Sequence, residues 1–78
     1  MKNKGETISI MKDFVELARK KGYSESMLMN IGIICGSSQM VEKGYSTDIA
    51  FLKAIEFVEN GKTESETLFE LLKLTGYE

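Results

Sequence analysis

The chain contains no histidine, no proline and no tryptophan, and it has a single cysteine, Cys35. Without histidine the sequence lacks the commonest general base, and one cysteine leaves too few ligands for the usual zinc sites. Because Cys35 follows Ile33 and Ile34 with no base beside it, we expect a buried and inert thiol. The sequence therefore predicts no catalytic residue, no metal site and no cofactor.

Long apolar runs are also absent. Residues 31–35 form the longest such run, which is interrupted by Gly32 and is far shorter than the roughly 20 residues that cross a bilayer. The first six residues are polar and contain no apolar segment of the kind found in signal peptides. With a lone cysteine and no membrane segment, the sequence predicts a cytoplasmic protein that does not enter membranes.

The remaining composition is typical of one small folded domain. The chain has 78 residues, of which 42% are hydrophobic and 28% charged. A domain of this size buries only about 60% of the surface of its unfolded chain, so association with a second copy or a partner is expected. Residues 1–22 are mildly basic and the rest acidic, which indicates either solvated helix faces or a basic patch for an acidic or phosphate-bearing partner.

Glycines divide the chain into helical segments. Residues 21–24, with the sequence KGYS, recur as residues 43–46, while residues 61–63 are a looser copy and residues 76–77 a partial one. In such a unit glycine ends one helix in a left-handed conformation, and serine or threonine caps the next. Because the helices between the copies differ, the recurrence indicates repeated turn chemistry and not a solenoid.

Apolar residues spaced three and four apart predict an all-α fold, a small bundle of four short helices joined by these turns. The first helix is predicted from Thr7 or Ser9 to residue 21 and the third over residues 47–60. The fourth begins at Thr63, which forms a capping box with Glu66. We expect residues 1–6 to be a flexible polar arm and residues 7–78 to be a single helical domain.

The second helix, over residues 24–42, is harder to assign because apolar side chains cover every side of it. One interpretation is a helix, continuous or broken near residues 36–38, at the centre of the bundle or in a subunit interface. In that helix Gly32 and Gly36 would share a face and let another helix approach. The other interpretation is a short strand at residues 31–35, because isoleucine favours strands.

Residues 17–31 resemble the helix-turn-helix template of DNA-binding proteins. Ala18 would let two helices pack, Gly22 would make the turn and Ser24 would cap the second helix. That helix carries no arginine or lysine, which reading guanine and binding phosphate usually need, although Lys2 and Lys4 could reach phosphate. The candidate DNA contacts are Arg19, Lys20, Lys21, Ser24, Ser26 and Asn30.

The apolar second helix favours a different function. Methionine is common at adaptable binding surfaces, and this helix is rich in it. The candidate interface residues are Met27, Met29, Ile33, Ile34 and Met40. The sequence thus predicts a non-catalytic interaction or regulatory protein that docks an apolar helix face on itself, as a homo-oligomer, or on a protein partner. The alternative is a dimeric helix-turn-helix transcriptional regulator that uses the segment from Leu17 to Ile31.

Overall fold

Five α-helices make up residues 4–77, the part of the chain that the computed structural model describes, with only the backbone described at Lys4. No strand occurs among these residues, so the predicted all-α fold is confirmed and residues 31–35 are helical. The helices are α1 (Lys4–Lys20), α2 (Glu25–Cys35), α3 (Ser38–Glu42), α4 (Thr47–Glu59) and α5 (Glu64–Leu74).

Serine and threonine caps fix where most of the helices begin. Ser24, Ser37, Ser46 and Thr63 precede α2 to α5, and each side chain accepts a backbone N–H three residues further on. The predicted capping box at Thr63 is present, with its two hydrogen bonds measuring 2.9 and 3.2 Å.

The first helix begins earlier than predicted. Helix α1 starts at Lys4 and not at Thr7 or Ser9, so residues 4–6 form its first turn. Residues 1–3, the rest of the expected polar arm, lie outside the described residues.

The predicted second helix is broken, and its two parts are α2 and α3. Gly36 ends α2 with φ −94° and ψ 7°, and Ser37 is extended, with ψ 154°. Gly36 still lies one helical turn above Gly32, because its N–H donates to the Gly32 carbonyl at 3.0 Å. No other helix comes close to Gly36, since an added Cβ there would meet only the Gly32 carbonyl oxygen, at 3.6 Å. Gly32 instead faces the ring of Phe51 on α4, where an added Cβ would lie 4.0 Å from the nearest ring atom.

One hydrogen-bond pattern recurs at the ends of α1, α3, α4 and α5. After α1, the N–H of Gly22 donates to the carbonyl of Arg19 and the N–H of Tyr23 to that of Ala18, each at 3.0 Å. Gly22 has a φ of +89°, a conformation that glycine adopts without steric cost. The same pair of bonds forms at Gly44, Gly61 and Gly76, and the predicted turn chemistry is thereby confirmed.

Helices α1 and α4 lie side by side and run in the same direction. The rings of Phe14 and Phe51 have centroids 5.7 Å apart, and beyond the carboxyl ends of the two helices Tyr23 donates to the carbonyl of Lys62 at 2.8 Å. Each helix packs against the other more extensively than against any other element. The turn after α1 is thus brought next to the turn after α4.

Helices α2 and α5 are parallel neighbours as well. At their amino ends the N–H of Ser24 donates to a carboxylate oxygen of Glu64 at 2.8 Å, and at their carboxyl ends Ile34 and Leu72 line one groove. We call α1 and α2 the first hairpin and α4 and α5 the second hairpin. Few contacts join α1 to α2, so the first hairpin packs mainly against the second and little against itself. The KGYS turn at residues 21–24 and its looser copy at residues 61–63 are thus the turns of two stacked hairpins, whereas the second KGYS copy, at residues 43–46, joins α3 to α4. The prediction of turn chemistry alone did not include this stacking.

The hydrophobic core lies between these two hairpins. Three of its members are alanines on α1 and α4, the two helices that pack most closely. No helix in the described part of the chain combines the length and the apolar character needed to cross a membrane. The buried hydrophobic residues are Phe14, Ala18, Tyr23, Leu28, Ile31, Cys35, Met40, Ala50, Phe51, Ala54, Val58 and Leu71.

Replacing Gly32 by alanine is expected to stabilise the protein by about 1 kcal/mol, because glycine lowers helix stability and the new methyl group would meet Phe51 at ordinary contact distance. Urea unfolding of Gly32→Ala and of the wild type measures this difference. The matched variant Gly22→Ala should lose about 1–2 kcal/mol, because its φ is left-handed. A destabilised Gly32→Ala would mean that α2 and α4 need a closer approach than this packing provides.

Candidate functional site

The helix-turn-helix segment is present as a helix, a glycine turn and a second helix, but the two helices hardly pack on each other. Helix α1 packs chiefly against α4, and α2 against α5. Ala18 is buried, yet it lies in a helix whose main partner is α4 and not the would-be recognition helix. The segment therefore lacks the tight helix pair that the template implies.

Of the candidate DNA contacts, Arg19 is already bound within the chain. Its Nε and an Nη each donate to a different carboxylate oxygen of Glu25, both at 2.8 Å. This hydrogen bonding raises the pKa of Arg19 and lowers the pKa of Glu25. The guanidinium is held by a carboxylate at the start of α2, where a DNA-reading helix would approach phosphates.

The other candidate DNA contacts are mostly on the surface. Lys20, Lys21, Ser26 and Asn30 are exposed, whereas the hydroxyl of Ser24 caps α2 by accepting the N–H of residue 27 at 3.2 Å. The side chains of Lys2 and Lys4, which were expected to reach phosphate, lie outside the description. The described part of α2 thus presents polar groups but no basic side chain.

The interface candidates on α2 form an exposed apolar face, with one exception. Met29 and Ile33, one helical turn apart, are 68% and 64% exposed, while Met27 and Ile34 are half-buried. Met40 has no exposed surface. It lies on α3, after the break, and its burial means that Met40 is not an interface candidate in the folded chain.

Helix α5 and the residues after it also expose large aromatic side chains, which the sequence analysis did not anticipate. Phe69 is 51% exposed and Tyr77, after the end of α5, is 57% exposed. The ammonium group of Lys73 lies 5.1 Å from the centroid of the Phe69 ring.

An open groove of about 470 Å³ lies between the carboxyl ends of α2 and α5. Its apolar walls come from both helices, and we call it the α2–α5 groove. Apolar walls of this kind can hold the apolar side of a helix. The groove is lined by Ile33, Ile34, Ser37, Gln39, Leu72, Thr75, Gly76 and Tyr77.

A second candidate site, a polar cluster where the two hairpin turns meet, is structural. The hydroxyl of Tyr23 donates to the Lys62 carbonyl. It also lies 2.7 Å from the hydroxyl of Thr67, a residue that is fully buried. Burial raises the pKa of Tyr23. The polar groups of this cluster are bonded to one another across the two turns, so they hold the hairpins in register.

The thiol of Cys35 is fully buried, as predicted, and burial raises its pKa to about 12. A thiol in this state is not ionised near neutral pH and is a poor nucleophile.

Within residues 4–77 no three side chains of the metal-binding types lie close enough together to hold an ion. Comparisons of the chain with protein-family models, with curated proteins and with solved structures found no match.

Replacing Tyr23 by phenylalanine is expected to lower the free energy of unfolding by about 1–3 kcal/mol, because it leaves the buried Thr67 hydroxyl and the Lys62 carbonyl without their partner. Thr67→Val should cost a similar amount, and the double variant less than the two together. Chemical unfolding of all three measures the coupling. Tyr77→Phe, at an exposed tyrosine, is the control and should change little; additive effects at Tyr23 and Thr67 would show that the pair does not interact.

The raised pKa of Tyr23 also predicts a pH dependence. A group whose pKa is higher in the folded state contributes stability below its unfolded pKa, about 10 for tyrosine, and loses that contribution as the pH rises further. The stability advantage of the wild type over Tyr23→Phe should therefore shrink as the pH is raised from 9 to 11 (about the range over which tyrosine ionises). Urea titrations of both proteins across this range test it, and a constant advantage would contradict the burial of the phenol.

Proposed function

We propose that this chain is a small, non-catalytic cytoplasmic interaction or regulatory protein whose α2–α5 groove binds an apolar face of another helix. The bound helix belongs to a second copy of the chain or to a protein partner. The observation that carries the proposal is the exposure of Ile33 on α2 and of Tyr77 after α5, which both line a groove between the carboxyl ends of these helices. Met29 and Phe69 are exposed elsewhere on the same two helices. Large exposed apolar patches on soluble proteins often mark binding sites.

The size of the face sets the strength of the expected complex. Burying an exposed Ile, Met or Phe side chain contributes about 1.5–3 kcal/mol, and the loss of translational and rotational freedom opposes association by about 4–15 kcal/mol. Three or four such side chains contribute an amount of about the same size as this loss. We therefore expect a weak complex, which suits a reversible regulatory contact.

The non-catalytic part of the proposal is supported by the state of the polar groups. Cys35, the one strong nucleophile by residue type, is buried with its thiol protonated. The buried hydroxyls of Tyr23 and Thr67 are bonded to each other across the turns. Neither group is presented to a substrate.

The alternative function, a helix-turn-helix regulator of transcription, is weakened by the pairing of Arg19 with Glu25. DNA binding at this segment would require the guanidinium to leave a carboxylate that it contacts through two hydrogen bonds. It would also bring the acidic Glu25 close to phosphate. We therefore place the protein-binding function first.

Ile33→Glu is expected to weaken association at least tenfold, because a carboxylate would have to be buried in the groove. Sedimentation of the wild type and of this variant, at concentrations from roughly 10 μM to 1 mM to bracket the expected affinity, measures the change. Leu52→Glu, at a half-exposed leucine on α4, is the matched control and should associate like the wild type.

A wild type that stays monomeric over this range would contradict self-association. The partner form is then tested by placing a photoreactive residue at position 33 or at position 52 in the source cells. Crosslinking to a protein from position 33 alone supports the groove as the binding site. Crosslinking from neither position, or equally from both, would contradict the proposal.

A further inference from the structure

The break between α2 and α3 depends mainly on one backbone torsion. Gly36, with φ −94° and ψ 7°, departs moderately from helical geometry, its ψ by about 50°. Ser37 has a helical φ of −76°, whereas its ψ of 154° is extended. Rotating this ψ to the helical value, near −42°, with a smaller adjustment at Gly36, would join α2 and α3 into one helix over residues 25–42, about 27 Å long.

The side chain of Ser37 replaces the hydrogen bonds that the break removes. Its Oγ donates to the carbonyl of Ile34 at 2.8 Å and accepts the N–H of Met40 at 3.2 Å. In a continuous helix the Met40 N–H would instead bond to the carbonyl of Gly36. The broken and continuous forms therefore satisfy the same backbone groups by different means.

The three other connections between helices lack this property. Each contains a glycine with a left-handed φ: +89° at Gly22, +94° at Gly44 and +84° at Gly61. Each also has an extended capping residue after the glycine region, so straightening requires changes at several torsions. The Gly36–Ser37 break is thus the natural hinge of the chain.

The distribution of packing makes this hinge consequential. Most tertiary contacts run between the first hairpin, α1 and α2, and the second, α4 and α5, and few join α1 to α2. The hinge lies between the hairpins, and α3 buries only Met40. If it straightened, the second hairpin would move away from the first, and each would expose the surface that the other had covered.

We propose that Gly36–Ser37 is a hinge through which two copies of this chain exchange their second hairpins to form a domain-swapped dimer. In that dimer α1 and α2 of one copy pack on α4 and α5 of the other, with the same contacts as in the monomer. The burial of Met40 beneath the bend favours the closed monomer, and high concentration favours the exchange. Ser37 and Gln39 line the α2–α5 groove, so opening the hinge also removes these two residues from its wall.

Two opposing variants test the hinge. Gly36→Ala/Ser37→Ala raises helix propensity and removes the Ser37 bonds, so it favours the continuous helix. Ser38→Pro acts in the opposite direction. Proline suits the first position of α3 and holds the preceding residue, Ser37, in the extended form that it already has.

Each protein is unfolded, refolded at high concentration, and analysed after dilution by size exclusion with light scattering. Exchange needs the hairpins to separate, so a swapped dimer survives dilution for minutes or longer, whereas a complex formed through the groove dissociates at once. We expect at least tenfold more persistent dimer from the double alanine variant than from the wild type, and none from Ser38→Pro. Ile33→Glu should leave the persistent dimer unchanged, which separates this hinge from the proposed groove function.

The connectivity of the dimer is read from Ser24→Cys/Glu64→Cys, introduced where the Ser24 N–H meets the Glu64 carboxylate. After treatment with a short bifunctional thiol reagent, a swapped dimer stays covalently dimeric under denaturing conditions, and a monomer is linked within one chain. Persistent dimers that separate into single chains would overturn the proposal. A double alanine variant that folds but forms no more dimer than the wild type would also overturn it. If the double variant does not fold, the other two proteins decide. The proposal is then overturned by a wild type that forms no persistent dimer, or by a Ser38→Pro variant that still forms it.

Discussion

The contact between the two hairpin turns is the constraint on which the arrangement of the helices depends. The hydroxyl of Tyr23 reaches from the turn after α1 to the Lys62 carbonyl after α4 and to Thr67 on α5. The neighbouring Ser24 N–H is bonded to Glu64 at the start of α5. These bonds align the turns, so α1 runs beside α4 and α2 beside α5. The groove at the far end of α2 and α5 is a consequence of this alignment.

Local features of the sequence predicted the helices well because their signals are local. A serine or threonine shortly after a glycine that ends a helix marks the start of the next one, and Ser24, Ser46 and Thr63 all cap helices as expected. The break near residue 36 follows from the same chemistry at Ser37. The early start of α1 was missed because the sequence marks no cap near Lys4. The stacking of the hairpins was missed because Tyr23 and Thr67, 44 positions apart, show no pattern that identifies them as partners.

The candidate site could be predicted only in part, for a related reason. The excess of apolar residues on the second helix correctly indicated an exposed face at Met29 and Ile33. It could not distinguish these residues from Met40, because the fate of Met40 depends on the direction that the chain takes after Ser37. Phe69 belongs to a helix whose apolar residues all looked like core, and Tyr77 follows the end of that helix. Only the position of α5 beside α2 decides which of its residues the core covers.

The central claim is that the hairpins stabilise each other and that neither is an independent folding unit. Native-state hydrogen exchange over a series of low denaturant concentrations tests it most directly, because it measures the opening free energy of each helix separately. We expect the slowest-exchanging amides of α1, α2, α4 and α5 to share one opening free energy, equal to the free energy of global unfolding. We also expect Tyr23→Phe to lower this opening free energy equally in all four helices. A second hairpin that stays protected while the amides of α1 and α2 exchange through a lower-energy opening would contradict it.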